Sequence, residues 1–132
     1  MSEAAKVIGK IEPSLILPSF ELATGETFGG YYAGPDGRLT RFFLLPGDND
    51  SAPWKKQMAW ALSVGGDLPN RIEHVILQAF HREKFKAAGY WSNQLHDEDE
   101  RYAWHQSFGN GHQDCLNTDS ELRARAVRRE VI

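Results

Sequence analysis

The hydrophobic period of the sequence changes along the chain, and this change constrains the fold more than any other feature. Between residues 54 and 80, apolar residues recur at intervals of three and four, the spacing of one helix face. On both sides of this segment, short apolar runs are bounded by turns that contain glycine, a pattern typical of β-strands. The order of strands, two helices and strands predicts an α+β fold, with two helices packed on short antiparallel β-sheets.

A β-hairpin is predicted over residues 28–45, and residues 46–53 are interpreted as a loop. Ser51 is a candidate cap for the first helix, with Pro53 tolerated in its first turn. Gly65–Gly66 is expected to end this helix. Its predicted apolar face consists of Trp54, Met58, Ala61 and Leu62.

Asp67 or Asn70 is expected to cap the second helix, and Gly89 to end it. The predicted apolar stripe of this helix consists of Ile72, Val75, Ile76, Ala79 and Phe80. The strands that follow are "GYWSN", "RYAWHQSF" and, after a Gly-Asn-Gly turn, "HQDCL". Residues 121–130, "ELRARAVRRE", alternate strictly and predict one strand that buries alanines and exposes arginines.

Residues 1–27 are interpreted as an N-terminal arm, and residues 28–132 as a single domain with one core. Pro13 and Pro18 bracket a short apolar run in the arm, which predicts an edge strand or a docked extension. The single cysteine excludes an internal disulfide and favours a reducing compartment, although a virion component would also fit. No signal peptide or membrane-spanning run is recognised, so no membrane partner is expected.

No constellation of residues indicates catalysis. His96, His105 and His112 crowd the last third of the chain, but their spacing matches no compact metal motif. Cys115 near one of the last two histidines would suit a thiolate–imidazole pair. A lone cysteine in an apolar strand is, however, usually a small core residue. We therefore predict a protein that is not an enzyme and uses no metal or cofactor.

The arginines at 123, 125, 128 and 129 would suit a basic stripe for nucleic acid. The formal charge of −3 gives the chain no general bias toward such a partner. The acidic residues 97–100 are expected to lie close enough to pair with the arginines, and no aromatic residues interleave with them as a nucleic-acid site requires. Nucleic acid is therefore not an expected partner.

The remaining interpretation is ligand recognition by the C-terminal strands. Trp and Tyr provide rigid contact area, while Asn, Gln and His supply directional hydrogen bonds. The candidate ligand-binding residues are Trp91, Asn93, Tyr102, Trp104, His105, Gln106, His112 and Gln113. The two tryptophans also suit core positions, and we expect at least one of them to be buried.

Four elements together resemble the Lcl-type C-terminal domain family of phage and bacterial proteins: "GGDLPNRIE", "GYWSN", "YAWHQSFGNGHQD" and "RARAVR". The resemblance covers residues 60–130 closely and 28–60 loosely. It implies a C-type-lectin-like fold, related in architecture to the sulfatase-modifying factor fold. It also implies surface recognition, as in adhesins and phage receptor-binding proteins, rather than catalysis.

The sequence departs from the family pattern at three places. The segment between the paired glycines and Leu68–Pro69 is reduced to Asp67, and Asn70 stands where Ser or Thr is usual. The long insertion that usually precedes the "YWSS" element is missing. Calcium ligation of the lectin type is therefore not carried over, since the run at 97–100 lacks the alternating oxygen-ligand spacing.

We therefore predict a phage- or prophage-encoded binding protein of the host cytoplasm or the virion, whose ligand is a glycan, a small molecule or a host protein. A homo-oligomer would suit such an adhesive module. An alternative is an intracellular inhibitor of a host defence protein, in which the partner-binding residues Asp97, Glu98, Asp99 and Glu100 imitate nucleic-acid phosphates. A third interpretation, an enzyme that uses Cys115, rests on the modifying-factor architecture alone.

Overall fold

The structure, a computed structural model, describes residues 17–132 and confirms the α+β class. In chain order, the two helices follow three strands and precede five. The strands form a three-stranded and a five-stranded sheet, and each sheet contains strands from both sides of the helices. Neither helix in this part of the chain has the length and hydropathy that a membrane crossing requires. The elements are β1 (Thr27–Ala33), β2 (Leu39–Leu44), β3 (Asn49–Ala52), α1 (Trp54–Ser63), α2 (Arg71–Phe80), β4 (Gly89–Leu95), β5 (Tyr102–Ser107), β6 (Gln113–Asn117), β7 (Leu122–Ala124) and β8 (Val127–Val131).

The smaller sheet has the order β1-β2-β8 and is antiparallel throughout. Its first two strands are the predicted hairpin. Phe42 and Leu44 of β2 are fully buried and pack with Val127 of β8 in one core cluster. Gly29 permits this packing, because a Cβ atom there would lie 2.3 Å from the Phe42 ring. This sheet therefore joins the hairpin to a strand from the other end of the domain.

The chain ahead of β1 docks on the opposite face of the smaller sheet. Phe20 stacks on Phe28 with ring centroids 4.7 Å apart. Arg41 donates a hydrogen bond to the carbonyl oxygen of Pro18 at 2.6 Å. Residues 17–26 thus contact the domain, and the rest of the predicted arm, residues 1–16, lies outside the described residues.

The larger sheet has the order β3-β7-β4-β5-β6, with β4 and β7 parallel. The three predicted strands after the helices are confirmed as β4, β5 and β6. Trp91 is fully buried against Ala103 and Ala124, and its indole N–H donates to the carbonyl of Ala52 at 3.1 Å. The expectation that at least one tryptophan is buried is therefore confirmed.

The predicted loop before α1 contains a strand, β3, which pairs with β7. Ser51 lies in that strand and does not cap the helix; Pro53 is the N-cap residue. Gln57 explains the difference, because its buried amide donates to the backbone oxygens of Asp50 and Leu122. A polar side chain from the helix thus ties down a polar strand that has no apolar pattern.

The predicted face of α1 is correct at three of its positions. Ala61 is buried, and Trp54 and Met58 pack against the core cluster around it. Leu62 is 76% exposed, so its assignment to the core was wrong. The buried pair Gln57 and Ala61 defines the inner face, and Leu62 lies about 100° further around the helix. The helix ends before Gly65–Gly66, as predicted.

The predicted Asn70 cap of α2 is confirmed as a complete capping box. The Asn70 side chain accepts from the Glu73 backbone N–H at 2.8 Å, and the Glu73 carboxylate accepts from the Asn70 N–H at 2.9 Å. The helix ends at Phe80 rather than at Gly89, which instead begins β4; a short 3-10 helix over Arg82–Lys84 follows. The prediction extended the helix through a segment that turns away to reach the larger sheet.

The predicted buried stripe of α2 is wrong. The residues that face the core are Glu73, His74 and Leu77, which are 0%, 1% and 0% exposed. The members of the predicted stripe are exposed or, for Ile76, half-buried: Ile72, Val75, Ile76, Ala79 and Phe80. Burial of the Glu73 carboxylate is possible because a guanidinium from β8 reaches it, an interaction that helical periodicity does not reveal.

Residues 121–130 form two strands in different sheets rather than one. The chain leaves β7 in the larger sheet, crosses at Ala126, and enters β8 in the smaller sheet. The Ala126 carbonyl accepts from the Leu45 N–H at 2.9 Å, which anchors the crossing. Ala124 and Ala126 are buried, as the alternation predicts.

The arginines of this segment do not form an exposed stripe, and they do not pair with residues 97–100. Arg123 pairs with Asp48 at 2.9 Å, Arg128 with Glu26 at 2.7 Å and Arg129 with Glu73 at 2.7 Å. Arg125 donates to the carbonyls of Lys84 and Leu45. The expected pairing with the acidic run is therefore wrong, because acids distant in sequence lie closer to these guanidiniums.

Candidate functional site

An open groove of about 600 Å³ lies beside the first turns of α2. This volume is in the range of small-ligand sites. The lining residues are Asn70, Arg71, Ile72, Val75, Gln94 and Gln113. Aliphatic side chains of the helix thus meet amide side chains of β4 and β6.

Three hydrogen bonds hold Arg71 in this groove. Its backbone N–H donates to Gln94 Oε1 at 2.7 Å, and its carbonyl accepts from Gln113 Nε2 at 2.8 Å. Its Nε donates to Gln113 Oε1 at 3.0 Å. Backbone and side chain are therefore both fixed by contacts within the domain.

The guanidinium of Arg71 also lies on an aromatic ring. Its central carbon is 3.5 Å from the ring centroid of Trp104, a close cation–π contact. His96 lies nearly parallel to the same indole, at an interplanar angle of 14° and a centroid distance of 6.3 Å. The ring contact orients the plane of the guanidinium, so that its two terminal nitrogens are held at the groove.

Arg71 forms no salt bridge within residues 17–132, and its Nη atoms form no hydrogen bond there. In this respect it differs from Arg123, Arg128 and Arg129, which are all paired with acids. The N-terminus of α2 adds a positive partial charge at the same point. The groove therefore presents unengaged donors and a positive potential.

A buried amide supports the groove from below. Gln106 is 1% exposed, and its Oε1 accepts from Gln113 Nε2 at 3.0 Å. Its own Nε2 donates to the carbonyl of Ser107 at 3.0 Å. The amide of Gln113 is thereby oriented toward Arg71.

The wall of the groove that α2 supplies is apolar. Ile72 and Val75 line it and are 54% and 55% exposed. Exposed aliphatic side chains grouped on a helix are typical of interaction surfaces.

The structure brings together a part of the predicted ligand-binding set. Trp104, Gln106 and Gln113 project on the side of the larger sheet that faces Arg71. Tyr102 lies two residues before Trp104 on the same strand face and is 38% exposed. These residues belong to the groove or to its margin.

The other predicted residues lie elsewhere. Trp91 is in the core, and His105 packs edge-on against it with ring centroids 6.4 Å apart. Asn93 donates to Asp67 at 2.8 Å, and His112 is exposed at the turn between β5 and β6. The predicted set therefore does not form one surface, because neighbouring residues of a strand point to opposite faces.

Sequence reasoning missed Arg71, Ile72, Val75 and Gln94. The two aliphatic residues were assigned to the core because they fit a helical stripe. For Arg71, its place directly after the Asn70 cap was a usable signal, since that position begins a helix and projects from its first turn. Gln94 carries no signal in the sequence.

The acidic residues 97–100 form a turn between β4 and β5. Asp99 is bound by Arg101 at 2.9 Å, and this hydrogen-bonded pairing lowers the pKa of Asp99 to about 2. Asp97, Glu98 and Glu100 are exposed. The turn thus presents carboxylates to solvent at one end of the larger sheet.

Titratable groups near the groove are poorly suited to act as nucleophile or base. Burial, together with the nearby Asp114 carboxylate, raises the pKa of the Cys115 thiol. His74 lies on the buried face of α2, where burial lowers its pKa to about 3. Within residues 17–132, no three side chains of the metal-ligating types His, Cys, Asp and Glu come together. No family model matches the chain, and no curated protein matches it.

Proposed function

We propose that this protein is a non-enzymatic binding protein that recognises its ligand in the groove beside α2. The ligand classes expected from the sequence are a glycan, a small molecule or a protein surface. Origin in a phage or prophage, and action in the host cytoplasm or the virion, are part of the proposal and rest on the family resemblance alone.

The observation that carries the proposal is the state of Arg71. Three hydrogen bonds and the Trp104 ring fix it, while its terminal nitrogens have no partner among residues 17–132. A side chain held in one conformation before binding loses little conformational entropy when a ligand arrives. The ordered Arg71 side chain is therefore suited to bind a ligand without rearrangement.

The lining of the groove favours binding over catalysis. It consists of amide, aliphatic and guanidinium side chains, without the carboxylate, imidazole, thiol or hydroxyl group that general acid–base or nucleophilic chemistry requires. The nearby Cys115 thiol has a raised pKa and is therefore a weak nucleophile at neutral pH.

We also propose that the architecture is C-type-lectin-like. Two features support this. β8 returns to the sheet of the first hairpin, and in chain order both helices lie between that hairpin and β4 of the larger sheet. The support is architectural, and it does not bear on the identity of the ligand.

Native mass spectrometry of the purified protein after incubation with bacterial extract tests the proposed function. We expect a bound species that is lost in Arg71→Ala and in Val75→Glu. It should persist in Arg38→Ala and Leu62→Glu, which make the same chemical changes at exposed positions outside the groove. A bound species retained equally by all four variants would place the site elsewhere.

Inhibition of a host protein through the acidic turn is a second candidate function. The exposure of Asp97, Glu98 and Glu100 favours it, since exposed carboxylates that are unpaired among residues 17–132 can match a basic surface. The variant Asp97→Asn/Glu98→Gln/Glu100→Gln should then lose a salt-sensitive complex with a host protein. Unchanged binding by this variant would remove the acidic turn from consideration.

A further inference from the structure

We propose that the groove binds an acidic–aliphatic segment of a partner protein, with a carboxylate on Arg71 and aliphatic side chains along the outer face of α2. This inference rests on the proposed function and specifies its ligand. It assigns the two halves of the groove to two kinds of contact, and each half has its own structural support.

The carboxylate contact follows from the geometry of Arg71. The Nε of Arg71 donates to Gln113, and one face of its guanidinium lies on the Trp104 ring. Among residues 17–132, its two Nη atoms therefore remain as available donors. A fixed guanidinium edge matches the two oxygens of a carboxylate in a bidentate pair. The N-terminal end of α2 favours an anion at the same position.

A polyanion is a poorer match for this site. The neighbouring arginines of β7 and β8 are paired with acids, and the chain carries a formal charge of −3. Nucleic-acid binding depends on several cations that neutralise successive phosphates. The groove is lined by one arginine, Arg71, whose guanidinium is not paired with an acid among residues 17–132, and one such group suits one carboxylate.

The aliphatic contact follows from the exposed aliphatic residues of α2 that lie beside Arg71. Ile72 and Val75 are more than half exposed, and both line the groove. From Arg71 to Val75 the helix rises about 6 Å, the length of roughly two extended residues or of about four helical ones. A short peptide segment can therefore cover Ile72 and Val75 while its acid reaches Arg71.

A protein segment fits this surface better than a sugar. Sugars commonly need an uncovered aromatic face and a dense set of polar partners, whereas the guanidinium of Arg71 already covers the Trp104 ring at 3.5 Å. The aliphatic wall itself offers no hydrogen-bonding side chain, since it consists of Ile72 and Val75. Gln94, which is exposed, uses its Oε1 on the Arg71 N–H and keeps its amide N–H groups for a peptide carbonyl.

The partner segment has a recognisable pattern. It should carry Asp or Glu within about four residues of Leu, Ile, Val or Phe, in either order, since Arg71 lies within about one turn of Ile72 and Val75.

Selection from a display library of random twelve-residue peptides tests this inference. The full chain is used as bait, and an array of neutral and acidic oligosaccharides is probed in parallel. We expect enrichment of peptides that carry an acid within about four residues of an aliphatic side chain, in either order. Their affinity, measured by fluorescence anisotropy, should fall about tenfold or more in Arg71→Ala and in Val75→Glu. It should stay within about twofold in Arg38→Ala and Leu62→Glu, which are remote from the groove.

Other outcomes separate the inference from the proposed function. Peptides without an acid, or peptides that bind Arg71→Ala as well as the wild type, would overturn the carboxylate contact. Oligosaccharide binding that is lost in Val75→Glu would overturn the inference and leave the proposed function intact. Peptides and sugars that both fail to bind would overturn the inference, while the proposed function would fail only if the mass-spectrometry experiment also found no bound species that depends on Arg71 and Val75.

Arg71→Lys guards against loss of folding as the cause. Lysine keeps the charge but cannot form the bidentate pair, so an affinity between those of wild type and Arg71→Ala is expected. Circular dichroism of every variant should match the wild type. An Arg71→Lys protein with full affinity would show that only charge, and not the fork of the guanidinium, matters.

Discussion

Arg71 belongs to the first turn of α2, and Arg129 contacts that turn from β8. Only the guanidinium of Arg129 is engaged through all three of its nitrogens by groups of the fold. Arg129 donates to Glu73, Asp67 and the Leu68 carbonyl at 2.7–2.9 Å. Arg71 is equally well held, yet its terminal nitrogens have no partner among residues 17–132. The comparison teaches that two arginines on the two sides of one helix turn can have separate roles, one in stability and the other in recognition.

The largest effect is expected when the inner arginine is removed. Arg129→Met leaves the Glu73 carboxylate buried without its partner, which should lower the free energy of unfolding by about 3–5 kcal/mol. Urea denaturation measures it, with Arg38→Ala as the matched control. Adding Glu73→Gln should restore part of the loss, because the buried charge disappears. A loss below about 1 kcal/mol for Arg129→Met would mean that water reaches Glu73.

A pH effect of intermediate size is expected on the inner face. His74 is neutral in the fold because burial lowers its pKa to about 3 from the usual 6.5, and burial also lowers the pKa of His105. Below pH 6.5 the unfolded chain binds more protons, so stability should fall as pH falls, by up to about 1.4 kcal/mol per pH unit for His74.

The window from pH 6.5 to 5 isolates the histidines, since the carboxylates with lowered pKa values, Glu26 and Glu130, titrate below it. Thermal unfolding across this window should show the slope in the wild type. His74→Leu should flatten it, and removal of a buried imidazole whose Nδ1 has no hydrogen-bond partner in the described structure should be well tolerated. An unchanged slope in His74→Leu would assign the dependence to His105 or another group.

A smaller effect is expected at the cap that precedes both arginine contacts. Asn70→Ala removes the acceptor of the Glu73 N–H and should cost about 1 kcal/mol. Asn70→Ser should retain most of the stability, because serine supplies an equivalent oxygen. Chemical denaturation of the pair distinguishes loss of the cap from loss of the contact between Asn70 and Tyr32; equal destabilisation would indicate the Tyr32 contact.

The smallest effect on stability is expected on the outer face. Val75→Gln replaces a side chain that is 55% exposed, so the free energy of unfolding should change by less than about 0.5 kcal/mol. Leu77→Ala, two residues further along and fully buried, should cost about 2–5 kcal/mol. Similar values for the two variants would show that the outer face is covered in solution.

Much of the fold could be predicted from local signals. The turn residues around the first hairpin, the Asn70 cap and the short strands after Gly89 each carry chemistry that acts within a few residues. β3 could not be predicted in this way, because three of its four residues are polar and the strand is held by Gln57 and β7. The break at Ala126 was missed although the alternation fails there: Ala126 and Val127 are consecutive apolar residues, and both are buried.

Less of the candidate site could be predicted. Trp104, Gln106 and Gln113 were recognised as candidate binding residues by type and proximity in sequence. The helix side of the groove was misassigned, since Ile72 and Val75 form as regular an apolar stripe as a buried face does. On the buried face of α2, Glu73 pairs with Arg129, which is 56 residues away. Periodicity cannot reveal a contact of that range.

The place of β8 in the smaller sheet has a consequence for how the protein is made. β8 pairs with β2, and the Arg41–Glu130 ion pair joins residues 89 positions apart. On a ribosome that adds about 5–20 residues each second, β2 therefore waits several seconds before its neighbour is synthesised. The aromatic hairpin must stay unaggregated during that delay, and such long-range pairing predicts slow folding after β8 has been released. Until β8 is synthesised, the nascent chain leaves the edge of β2 without its neighbouring strand.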